Sequence, residues 1–245
     1  MPTITDVITT PDGTCSVTLA SPEGSGPWPG VVMYPDAGGA RPAFTEMAQR
    51  LAGYGYAVLV PDVYYRDPGW APFDMASVFG DADERKRLFG MISKVTPEIM
   101  AADAAAFFDH LAGRPEVRGE SFGVTGYCMG GRTALVVAGR VPDRVAAAMS
   151  FHGGGLAADD PGSPHLLADR MRATVYVGAA ENDASFTAEQ AEILGAALTA
   201  AGVEHTIEFY AAAHGFAVPD NAPYDEAAAE RHWAAMRDVF GSHLA

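Results

Sequence analysis

Positive charge is scarce in this chain. Sixteen lysine and arginine side chains stand against 31 acidic ones over 245 residues, a formal charge of −15. Only Lys86 and Lys94 are lysines. Such a balance leaves no basic footprint for a phosphate backbone, so nucleic acid is not an expected partner. Cysteine is sparser still. Cys15 and Cys128 are the only two, too few for a disulfide scaffold or a four-ligand structural zinc site. Long apolar runs are also missing. The longest, such as residues 56–60 and 104–108, fall far short of the roughly 18 needed to cross a bilayer, so no membrane partner is expected. Residues 1–20 hold no lysine or arginine and no sustained apolar stretch, whereas a secretory signal needs both. A cytoplasmic location is the expectation.

What is present is a globular composition. Hydrophobic residues make up 49% and charged residues 19%, enough to build a large core without staples. Against a prior of about 150 residues per domain, a chain of this length reads as one α/β domain over residues 1–245. Short β-branched runs alternate with longer alanine-rich segments, the pattern of βαβ units and a mostly parallel sheet with helices on both faces. Strands are expected at 3–8, 16–19, 31–34, 57–60, 122–125, 145–150, 174–177 and 206–210, the first two forming a hairpin at Pro11, Asp12 and Gly13. Helices are expected at 43–52, 97–111, 131–141, 188–201 and 225–240, each bounded by Gly or Pro. Residues 64–96 break the rhythm. They read either as a lid or pocket wall or as a pair of surface helices whose apolar face packs on the sheet.

The strongest local signal is Gly126-Tyr127-Cys128-Met129-Gly130, a G-x-C-x-G nucleophile elbow between a predicted strand and a predicted helix. A nucleophile on so tight a turn needs small flanking residues, and Gly126, Gly130 and Gly131 meet that need. Cys128 also stands at a helix N-terminus, where the dipole and free amides favour an anion, so an unusually reactive thiol is expected. A nucleophilic thiol requires a base and a group to orient it. In α/β-hydrolases these follow in the order acid, then histidine. Asp183, with Glu181 as a rival, follows the strand at 174–177, and His214 follows the strand at 206–210. Both lie beyond strand C-terminal ends, where parallel sheets place their sites. His165, His205, His232 and His243 fit the base less well, and His152 reads as a pocket or supporting residue. Acyl chemistry also requires oxyanion donors. The elbow supplies the Met129 amide, and the loop at 35–39 supplies a second, for which Ala37 is the choice.

With the Cys128 elbow, Asp183, His214-Gly215-Phe216 and Asp36 after the third strand, nearly the whole chain resembles the dienelactone hydrolase family. The resemblance implies an α/β-hydrolase fold and a Cys-His-Asp triad that opens a small-molecule lactone or ester through an acyl-thioester, without metal or organic cofactor. It also implies that an accessory acid near the nucleophile helps set the thiol's protonation, a role that falls to Asp36. Two departures stand out. The accessory acid of the family is typically glutamate, one methylene longer. Members that open carboxylated diene lactones carry an arginine four residues after the histidine, where this chain has Val218; Arg66, Arg85 and Arg87 are the candidates to supply a positive group instead. Val218, Phe216 and His152 are the expected pocket residues. The competing expectation on the same fold is a thiol redox sensor or ligand-binding relative, with Cys128 oxidised rather than acylated. Cys15, in the predicted hairpin, makes an unconvincing resolving partner.

Overall fold

The computed structural model describes residues 1–244. Eight strands form one sheet in the order β1-β2-β4-β3-β5-β6-β7-β8. β1 (Thr3–Thr10) and β2 (Gly13–Ala20) make the expected hairpin, and β2 joins β4 (Ala57–Pro61) antiparallel. From β4 onward every pairing is parallel, through β3 (Trp28–Tyr34), β5 (Val117–Tyr127), β6 (Val145–Phe151), β7 (Thr174–Ala180) and β8 (His205–Tyr210). This is the α/β-hydrolase architecture expected from the alternating pattern.

Side-chain alternation explains why the sheet is covered on both faces. Val31 and Met33 of β3 join one apolar cluster with α1 (Pro42–Ala52) and α6 (Glu226–His243). Val32 and Tyr34 join the other, with α3 (Pro97–Ala112), α4 (Met129–Arg140) and α5 (Ala188–Ala200). Each fully buried aliphatic side chain contributes about 1.5–3 kcal/mol, so strands apolar on both sides are stable only inside such a sandwich.

Two elements differ from expectation. β5 begins at Val117, because Trp28 and Pro29 pair with Val117 and Arg118 before a register shift restores the core pairing at Val31 and Gly123. Within residues 64–96 one helix forms, α2 (Ala82–Ile92), capped by Asp81 accepting from the amides of Asp83 and Glu84. Phe73, Met75, Val78, Leu88, Met91 and Val95 of this stretch are buried in the same apolar cluster as Val32 and Tyr34.

The strand order reverses between β3 and β5, since the chain leaves β3 for β4 and then crosses back to β5. Parallel sheets bind ligands outside the strand C-termini at such a point. The loops leaving β3, β5, β6, β7 and β8 all open on that edge. Among the described residues no helix is long and apolar enough to cross a membrane.

Candidate active site

Tyr127 ends β5 fully buried, and Cys128 follows at φ 53, ψ −115 before α4 begins at Met129. A positive φ is strained for a residue with a side chain. Neighbouring glycines make the turn possible: a Cβ on Gly126 would lie 2.0 Å from the Gly130 carbonyl oxygen, and one on Gly130 would lie 2.3 Å from that of Tyr34. The Cys128 N–H donates to the Phe151 carbonyl at 3.1 Å, and the Cys128 carbonyl accepts from Gly131 and Arg132 at 3.0 and 3.3 Å. The backbone of the turn is thereby fixed while the thiol stays half-buried.

Asp183 and His214 arrive from the loops after β7 and β8. His214 Nδ1 lies 2.5 Å from Asp183 Oδ2, and Asp183 Oδ1 accepts from the Ser185 N–H at 2.8 Å and its hydroxyl at 2.6 Å. Burial alone would raise the Asp183 carboxyl, but the bonds from His214 and Ser185 outweigh it and hold it below the usual range. Burial likewise opposes a proton on His214, yet the bond to Asp183 and the nearby Cys128 and Asp183 charges raise it to about 10. Of the three residues expected from sequence, Asp183 and His214 are therefore in direct contact, and Cys128 is near enough to His214 to favour its proton. Glu181 does not reach them: it is exposed, and its backbone N–H donates to the Tyr210 carbonyl.

Ala37 sits on the loop after β3, and Met129 is the first residue of α4. Among the described residues neither N–H meets a protein acceptor, leaving both available to an oxyanion. Asp36, 2% exposed, forms an ion pair with Arg41: Oδ1 lies 2.6 Å from one guanidinium nitrogen and Oδ2 3.0 Å from another. Its oxygens also accept from the Gly38 N–H and the Asn221 side-chain amide. Arg41 reaches on to Asp220, with contacts of 2.7 and 2.8 Å.

The expected pocket residues lie deep. His152, Phe216 and Val218 are each 0% exposed, with Phe216 and Val218 inside the α1/α6 cluster. The His152 ring packs edge-to-face against His214 and Phe216, 5.2 Å from each. Both its ring nitrogens lack partners among the described residues, and burial, with the charges of His214 and His232, holds it well below 6.5. The three arginines considered as anion clamps are occupied elsewhere. Arg66 pairs with Asp12 and Asp103, Arg85 donates to the Phe79 carbonyl, and Arg87 engages Glu84 and the Ala71 carbonyl.

Sequence reasoning passed over Arg41, Tyr64 and Ser185. Ser185 alone had a local signal, since an Asp two residues before a Ser commonly takes the Ser amide and hydroxyl. Tyr64 acts through Ala37, 27 residues earlier, and Arg41 joins the nearby Asp36 to Asp220, 179 residues on.

The model of the dienelactone hydrolase family matches residues 15–244. The chain belongs to the dienelactone hydrolase family. A Synechocystis relative named "Putative carboxymethylenebutenolidase" is 28% identical over 98% of this chain and 97% of its own. A dienelactone hydrolase-like promiscuous phosphotriesterase from metagenomic libraries, known from its crystal structure, is 27% identical with a TM-score of 0.76, covering 100% of both chains. A Klebsiella pneumoniae structure described as "Putative Dienelactone Hydrolase" superposes with a TM-score of 0.84 over 99% of this chain and 100% of its own, at 24% identity, and so speaks for the fold. Like its family, this dienelactone hydrolase relative is a hydrolase of lactone or ester type acting on a small molecule.

Proposed function

We propose that this chain is a single catalytic domain that cleaves a carboxylic ester or lactone through Cys128, His214 and Asp183. The observation that carries the reading is the bond of His214 Nδ1 to Asp183, with Cys128 on the strained elbow near enough to favour the His214 proton. Cys128 Sγ attacks the substrate carbonyl carbon, and the amides of Ala37 and Met129 receive the negative charge. Collapse of the intermediate breaks the carbon–oxygen bond, and His214 gives its proton to the departing alkoxide. A water then yields a proton to His214 and attacks the thioester, returning the thiolate. With His214 raised to about 10, its proton is already in place at neutral pH for the first departure. Asp183 fixes the imidazole tautomer throughout.

Neutral substrates fit this site better than carboxylated ones. A buried substrate carboxylate needs a partner, and Val218 with Arg66, Arg85 and Arg87 supplies none that is free. Asp36 has both carboxylate oxygens engaged by Arg41, with Gly38 and Asn221 as further donors. A thiol sensor finds less support, because Cys15 is 0% exposed and its Sγ lies 3.4 Å from the Ser16 and Asp62 carbonyls.

The test is a panel of aryl esters, lactones and one phosphotriester, assayed on the wild type and on Cys128→Ala. Hydrolysis that survives Cys128→Ala overturns the reading.

A further inference from the structure

The oxyanion loop between β3 and α1 is held from beneath by a buried phenol. The Tyr64 hydroxyl, on a side chain 1% exposed, donates to the Ala37 carbonyl at 2.7 Å. On the other side of the same peptide the Gly38 N–H donates to Asp36 Oδ1 at 2.9 Å. The preceding peptide is fixed by the Gly39 N–H, which donates to the Asp36 carbonyl at 3.0 Å. Both peptides flanking the Ala37 Cα are therefore pinned, and with them the direction of the Ala37 N–H.

Tyr64 is itself immobilised. Trp70 meets it edge-on with centroids 5.1 Å apart, and the Trp70 indole donates to Asp62 at 3.0 Å. The loop fits around this pair so closely that a Cβ on Gly39, at φ +77, would lie 2.6 Å from the Trp70 ring. Burial, then the charges of Asp36 and Cys128, raise the phenol, so it remains a donor at any working pH.

We infer that Tyr64 is a positioning residue for the oxyanion hole: its hydroxyl holds the Ala37 carbonyl, and so the peptide on the C-terminal side of the Ala37 Cα, which keeps the Ala37 N–H on the other side of that Cα aimed at the oxygen of the acyl group attacked by Cys128. The inference rests on the proposed hydrolysis by Cys128. A backbone amide serves an oxyanion only when it is preorganised. A peptide without its supporting bond rotates toward other acceptors, and that loss falls on the transition state rather than on substrate binding.

The experiment compares two reactions of the same thiol in the wild type and in Tyr64→Phe, which keeps the ring and removes only the hydroxyl. Acylation by p-nitrophenyl acetate, followed as the first turnover, builds an oxyanion. Alkylation by iodoacetamide, followed by mass spectrometry of the Cys128 peptide, displaces iodide and builds none. The expected result is acylation slowed by about tenfold to a hundredfold, with kcat lowered, KM little changed and the alkylation rate retained. Unchanged acylation overturns the inference. An equal fall in both reactions overturns it too, since Tyr64 would then act on the thiol or the fold. The parent reading has its own test: hydrolysis that survives Cys128→Ala removes the nucleophile whatever Tyr64→Phe does.

Discussion

Asp183 Oδ2 meets His214 Nδ1 at 2.5 Å across 31 residues of chain, and the other oxygen of the same carboxylate is occupied by Ser185. The carboxylate is thus held in one rotamer with one free edge, and that edge belongs to the imidazole. Replacing it with an amide keeps the shape but favours the wrong tautomer. Asp183→Asn is expected to lower kcat by about 10³ to 10⁴-fold, whereas Glu181→Gln stays near the wild type. Because Asp183 acts through His214, the double variant with His214→Ala loses little more than His214→Ala alone. Steady-state kinetics on the four variants decide it.

The two thiols differ in setting. Cys15 is enclosed, and burial, then the charges of Asp62 and Asp103, push it up to about 12, whereas Cys128 is half-buried at the elbow. Iodoacetamide at neutral pH is expected to label Cys128 and leave Cys15 intact, with hydrolysis lost in step with labelling. Equal labelling of both peptides contradicts this.

His152 carries two ring nitrogens without partners in a fully buried position. His152→Phe keeps an aromatic ring there and removes those atoms, so it is expected to stabilise the fold by about 1–3 kcal/mol. A second effect depends on pH. His152 and His232 stay neutral when folded, His232 held down to about 3 by burial, while both take up protons near 6.5 when unfolded. The unfolded state then binds more protons below pH 6.5, so stability falls as pH drops through that window. His152→Phe removes one such group and flattens the fall by about 1.4 kcal/mol per pH unit. Urea unfolding at a series of pH values measures both effects.

Arg41 and Asp36 are 3% and 2% exposed. Breaking a buried pair strands a charge, so Arg41→Met is expected to cost about 3–5 kcal/mol. Asp220, 42% exposed, contributes far less, and Asp220→Asn should cost about 1 kcal/mol or less. Denaturant midpoints compare the two.

Substrate charge offers a fifth test. A matched neutral and anionic ester pair should show a higher kcat/KM for the neutral member, at low and high salt alike. An anionic preference would require Arg66, Arg85 or Arg87 to leave its present partners. Val218→Arg is unsuitable for this comparison, because Val218 is 0% exposed and a guanidinium there would disrupt the cluster around Phe216.

The legible parts of the sequence were those whose cause is local. The elbow glycines, the loops after β7 and β8 and the apolar alternation of β3 each lie within a few residues of what they determine. α2 is harder to read, because only Leu88 and Met91 of its residues are buried and its apolar periodicity is faint. The β5 boundary depended on a pairing with Trp28 that no local pattern records. Asp36 illustrates the remaining gap. Its acidic side chain was visible, but its engagement with Arg41 and Asn221 is a property of the folded chain alone.

The Arg41 bridge also bears on the order in which the molecule can be completed. Asp36 and Arg41 leave the ribosome together, but Asp220 follows Arg41 by 179 residues and Asn221 follows Asp36 by 185. Both distal partners follow β8 and His214 in the chain, so the bridge can be completed only after every strand of the sheet has been made.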